Sequence, residues 1–109
     1  MAETLKMAFT IVDDTANETD VLTAASSHTY TVLSITVCEV AGADELMNLY
    51  IRDDAGSTDY FIYDSQSLPA YATFLHSDKI VLLSTDVLSI KFDSATTAHV
   101  VIAYLDQDD

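Results

Sequence analysis

Tryptophan is absent from this chain of 109 residues, cysteine and proline occur once each, and glycine occurs twice. A lone cysteine excludes an internal disulfide, and without a cysteine pair or a core Trp the signature of an immunoglobulin domain is missing. Cys38 stands in strand-like sequence with no His or Cys beside it, the setting of a buried structural thiol. Positive charge is scarce: four Lys plus Arg face eighteen Asp plus Glu, a formal net charge of -14. Clustered cations are what a phosphate backbone binds, so nucleic acid is excluded as a partner, and an anionic membrane surface would repel the chain. Long apolar runs are missing as well, and none approaches the ~20 residues of a membrane-spanning helix. The opening MAETLKMAFT places an acid and a Lys ahead of any apolar run, unlike a secretory leader. A protein kept in the cytosol, or carried as part of a larger particle, is the expectation.

What is present is a hydrophobic half of the composition, enough for a packed core and against disorder. The length suits one domain over 1–109, with 1–3 and 106–109 expected to fray. Thr, Val, Ile and Tyr crowd into His28–Val40 (HTYTVLSITVCEV), residue types that suit a pleated strand and crowd a helix. Thr4–Val12 alternates cleanly: Leu5, Met7, Phe9 and Ile11 against Thr4, Lys6, Ala8 and Thr10. Further strands are predicted at Val21–Ala25, Glu45–Arg52, Ser57–Asp64, Ala70–Leu75, Lys79–Leu83, Val87–Phe92 and His99–Leu105. Ala41–Asp44 is a turn built on Gly42, and Asp53–Gly56 a hairpin connection. Ser65–Pro69 interrupts the sheet pattern, and Asp93–Ala98 reads as a connector. Eight or nine short strands and no sustained helical period predict an all-β, jelly-roll-like antiparallel sandwich.

The long strand carries a phase slip. Tyr30 and Val32 lie on its even face, whereas Leu33, Ile35 and Val37 lie on its odd face. Either a bulge shifts the register near Val32–Leu33 or both faces are covered there. Leu33, Ile35 and Val37 are expected to face the core.

No catalytic motif stands out. His76-Ser77-Asp78 and Ser26-Ser27-His28 contain triad residue types, but neighbours in an extended chain point to opposite faces, and no G-x-S-x-G turn exists. His28, His76 and His99 share no metal-ligand spacing. The acidic pairs Asp13-Asp14 and Asp53-Asp54 and the tail acids Asp106, Asp108 and Asp109 match no calcium-loop pattern; as solvated loop tips they guard sheet edges. No catalytic residue, metal ligand or cofactor is therefore assigned. The more informative signal is apolar surplus on both faces of some strands. Tyr60 and Ile62 oppose Phe61 and Tyr63, while Leu46 and Tyr50 oppose Met47, Leu49 and Ile51. A second apolar face points to subunit contact, where Tyr is favoured. Leu46, Tyr50, Tyr60, Ile62 and Tyr71 are the expected contact residues of a homo-oligomer.

The runs YTVLSITVCEV (Tyr30–Val40), LMNLYIR (Leu46–Arg52), KIVLLSTDVLSIKF (Lys79–Phe92) and HVVIAYL (His99–Leu105) resemble small virion proteins of marine tailed phages. The resemblance spans about 75 residues in scattered blocks and consists mostly of strand pattern. Glu39 departs from it, standing where the pattern has Asn after Cys, which leaves a turn or capping role for that side chain unsupported. The resemblance implies a β-sandwich decoration (cement) protein, without catalytic residues. It would sit as a trimer on the outer capsid surface, with the major capsid protein as partner. The alternative is a tail, fibre or host-glycan-binding β-module in which Tyr50, Tyr60, Tyr63 and Tyr71 stack on sugars.

Overall fold

The computed structural model describes residues 3–15, 17–52 and 58–108, residues 14 and 15 by backbone only. These residues form nine strands and no helix: β1 (Glu3–Thr15), β2 (Thr19–Thr23), β3 (His28–Glu39), β4 (Glu45–Arg52), β5 (Asp59–Leu68), β6 (Thr73–His76), β7 (Ile80–Leu82), β8 (Val87–Phe92) and β9 (Ala95–Asp108). One sheet runs β1-β9-β3-β6, with β7 also on β3, and the other runs β2-β8-β4-β5. All pairings are antiparallel. β6 and β7 occupy successive stretches of the same edge of β3, so they are two halves of one strand position. Counted that way the sheets have four positions each, in the order of a jelly roll, and the predicted sandwich is what the chain forms.

The core lies between the sheets. Val32, Ile35, Val37, Met47, Leu49, Leu88, Ile90, Val100 and Ile102 are all buried. On β3 the slip is a bulge. Val32 pairs with Tyr104 and Ser34 with Ala103, so Leu33 is the extra residue. Before the bulge even residues (Tyr30, Val32) face inward; after it odd ones (Ile35, Val37, Glu39) do. Two expectations are corrected by this. Leu33 is only half-buried, because a bulged residue leaves the ladder alternation. Cys38 is not a core thiol: the phase change turns it to the outer face, half-buried, and puts Glu39 inside. The break between β6 and β7 lies opposite the same bulge.

Other boundaries also move. β5 continues through Ser65 to Leu68, where a break was expected. Ser65 adopts a left-handed conformation (φ 59°) and donates its N–H to Asn48 Oδ1 at 2.7 Å. The accompanying register shift resets the strand phase and buries Leu68. Pro69 follows directly after the strand, where no ladder N–H is needed. β9 starts at Ala95 rather than His99 because β1 extends to Thr15 and pairs with it throughout. It runs to Asp108, and Asp106 near its end bonds Lys6 and His28. Residues 1, 2 and 109 and the predicted Asp53–Gly56 hairpin lie outside the described residues.

Candidate interaction surface

The two ends of the sandwich are held by carboxylates. At one end Glu39, fully buried, accepts from the N–H groups of Ala41, Gly42, Ala43 and Tyr71 and from the Thr96 hydroxyl, at 2.5–3.2 Å. Burial pushes its pKa up, but the Thr96 hydroxyl and the N–H groups of Tyr71, Gly42 and Ala41 outweigh that and hold it at about 2. Glu39 thus caps the β3–β4 turn, the role its departure from the phage-like pattern left unsupported. Gly42 sits at φ 87°, as the turn predicts, and a Cβ there would lie 2.6 Å from the Tyr71 hydroxyl. Glu45 accepts from the Ser94 N–H and hydroxyl, Asp44 from the Ala70 N–H and Asp93 from the Leu46 N–H. A share of the acidic excess therefore serves as loop caps.

At the other end Asp106 joins Lys6 Nζ (2.7 Å) and His28 Nδ1 (2.6 Å). The hydrogen bond to Asp106 raises the pKa of His28, and the bonds to Lys6 and His28 lower that of Asp106. Both ring nitrogens of His28 face carboxylates, Nε2 lying 3.9 Å from Asp108, so no hydroxyl is set up as a nucleophile there. His76 is buried across the sandwich with Nδ1 at 2.7 Å from the Tyr63 hydroxyl and Nε2 without a hydrogen-bond partner, while Ser77 and Asp78 are exposed. His99 lies exposed on the outer face of the first sheet. The three histidines do not converge, and among the described residues no group of three or more His, Cys, Asp or Glu is placed to hold a metal ion. No helix among them is long and apolar enough to cross a membrane.

The five expected contact residues are dispersed. Tyr50 is only 3% exposed and rests against the Phe61 ring, 5.2 Å between centroids. Burial, then Asp59 and Asp20, push its hydroxyl up to about 12. Ile62 is half-buried against the core. Leu46, Tyr60 and Tyr71 are exposed, but Tyr60 pairs with Ile51 toward one end of the sandwich, whereas Leu46 and Tyr71 belong to the Glu39 end.

The extended apolar surface lies elsewhere, on the outer face of the first sheet. Leu5, Met7, Phe9 and Ile11 of β1 are 51–74% exposed. Register continues them into cross-strand rows: Leu5–Leu105–Thr31–Val81, Met7–Ala103–Ser34, Phe9–Val101–Thr36–Leu75 and Ile11–His99–Cys38–Thr73. These rows contain no Asp, Glu, Lys or Arg. Charge returns at their ends, where Glu3 bonds Gln107 and Asp13 bonds Thr97, and at the edge, where exposed Asp78 and Lys79 stand in the break between β6 and β7. A shallow depression lined by Phe9, Ile11, His99 and Val101 opens on this face. The sequence did hold a signal for it. HVVIAYL in β9 is a near-continuous apolar run, as expected of a strand covered on both faces. Its even residues Val100, Ile102 and Tyr104 fill the core, which leaves Val101 and Leu105, and with them the apolar side of β1, outside.

No protein-family model matches the chain, and no curated protein sequence matches it. Solved structures share its fold. A chain in the acid-stable capsid of Helicobacter pylori bacteriophage KHP30 superposes with TM-score 0.62 at 10% identity, over 99% of this chain and 94% of that one. The Drosophila NLP core, described for pentamer formation and histone binding, gives 0.58 at 10% identity, over 92% and 97%. A protein of the disulfide-linked pili on Bacillus endospores gives 0.56 at 12%, over 99% and 91%. At such identities the likeness is one of fold.

Proposed function

We propose that this chain is a non-enzymatic structural virion protein, a capsid decoration or cement protein. It would act as a homo-oligomer, a trimer, that binds the major capsid protein on the outer surface of a phage head and stabilises it. The observation that carries this reading is the uncharged apolar sheet face on a chain of net charge -14. Such a face suits assembly with other protein surfaces, while the acidic loops suit complementary basic patches on a shell. The fold shared along nearly its whole length with a phage capsid chain supports the virion setting. Many identical weak contacts on one particle would add through effective concentration.

Imaging of the native particle tests this. Hundreds of copies spread over the shell are expected, and heads lacking the protein should burst at lower temperature or milder osmotic shock. Equal resistance with and without it would remove the cementing role, and a handful of copies at one vertex would mean tail or fibre. The glycan-binding alternative is less favoured, because Tyr50 is enclosed and Tyr63 is bonded to His76, leaving Tyr60 and Tyr71 apart from one another.

A further inference from the structure

We infer that the outer face of the β1–β9–β3 sheet, centred on Phe9, is where copies of this chain meet one another. The inference rests on the oligomeric reading above and gives it a surface, different from Leu46, Tyr50, Tyr60, Ile62 and Tyr71 expected from sequence.

Three features favour another copy over any other occupant. The first is charge. Two chains of net charge -14 repel at most approaches, and the repulsion is least where a charge-free face is turned inward and the acids are left in solvent. A basic partner would be recognised through carboxylates, and the rows across this face carry none. The second is size. Leu5, Met7, Phe9 and Ile11, with Leu75 and Val81, each expose more than half of a large apolar side chain. An apolar patch of six such side chains is more than a solitary domain usually leaves in water and is on the scale of one side of a standard interface, about 800 Å². The third is anatomy. An apolar centre with charged residues at its margin, Glu3 and Asp13 at the ends and Asp78 and Lys79 in the β6–β7 break, is the layout of a subunit contact. An exposed sheet face is also compatible with closure around an axis, each copy turning the same sheet inward.

The face is made of exposed side chains, so it can be altered without touching the core. Light-scattering mass measurement on the purified full chain tests the inference. The wild type is expected at a whole-number multiple of 11.9 kDa, three for a trimer. Phe9→Glu, 74% exposed, is expected to bring the mass down to a single chain with the far-ultraviolet dichroism of the wild type. Tyr60→Glu, on the other sheet, is expected to leave the mass unchanged. Leu5→Ser with Ile11→Ser serves as the second disruption should Phe9→Glu fail to fold. Cys38, on the same face, gives an independent reading: maleimide should label it several-fold faster in the monomeric variant than in the wild type. A wild type that stays at 11.9 kDa at high concentration, or a folded Phe9→Glu that keeps the multiple, overturns the inference. Co-sedimentation with undecorated heads separates this from the function. Oligomers that bind no head would defeat the virion reading alone, and monomers that bind heads would defeat the inference and the oligomeric part of the proposal while leaving the virion reading standing.

Discussion

Replacing Glu39 by Gln should cost stability, because both carboxylate oxygens are fully used as acceptors. Oε1 accepts from the N–H groups of Gly42, Ala43 and Tyr71, and Oε2 from the Ala41 N–H and the Thr96 hydroxyl. An amide can keep its oxygen on the three-donor side. Its NH2 then meets the Ala41 N–H, a donor facing a donor, while Thr96 can rotate to accept. The Ala41 N–H, on an exposed residue, loses its partner at about 1 kcal/mol, and the remaining bonds lose their charge assistance. The expected loss is about 3 kcal/mol, and about 4 kcal/mol for Glu39→Ala, which abandons every donor. For a domain of this size about 3 kcal/mol lowers the melting temperature by roughly 12 °C. The sign with pH follows from a carboxyl held at about 2 in the fold against 4.5 in the free side chain. Its contribution is whole above pH 4.5, shrinks as pH falls below that value, and is gone once pH passes about 2. Urea unfolding of wild type and Glu39→Gln between pH 2 and pH 7 reads both effects. A difference under about 1 kcal/mol at pH 7, or one that does not narrow toward pH 2, would refute the capping role.

Other expectations follow from the same geometry. Gly42→Ala forces a left-handed side chain against the Tyr71 ring and should cost about 1–2 kcal/mol by chemical denaturation. Adding Tyr71→Ala should recover only the part due to contact. Val32→Ala should cost about 2 kcal/mol and Leu33→Ala under about 1 kcal/mol, because the bulge puts the first in the core and the second beside it; equal costs would contradict the register. The His28 ring should titrate above 6.5 by NMR and move back toward it in Asp106→Asn. The stabilisation from that pair is present in full between pH 3.8 and pH 6.5, is lost as pH rises through the elevated pKa of His28, and is lost at the acid end as pH falls through the lowered pKa of Asp106. A normal His28 titration in the wild type would count against the Asp106 contact.

Strand identity and fold class were legible because side-chain alternation is local: Val87–Phe92 appears as predicted, and the slip at Val32–Leu33 marked either a bulge or a doubly covered stretch, of which the pairing shows the bulge. The consequence of that slip was not legible, since only the β9 register says which residue is extruded and hence that Cys38 turns outward and Glu39 inward. The same limit applies to β1. Its sequence separates Leu5, Met7, Phe9 and Ile11 from Lys6, Ala8 and Thr10, but alternation is symmetric and does not say which side meets the core. That choice was made by β9, whose Val100, Ile102 and Tyr104 occupy the interior and leave the apolar side of β1 to the outside. Glu39 was harder still, because its partners come from the β3–β4 turn, the β5–β6 connection and β9, segments 32 and 57 residues away among them. Period and composition act between neighbours in the chain, so they decide the elements; which face is covered and which carboxylate is enclosed depend on distant strands and were decided only by packing.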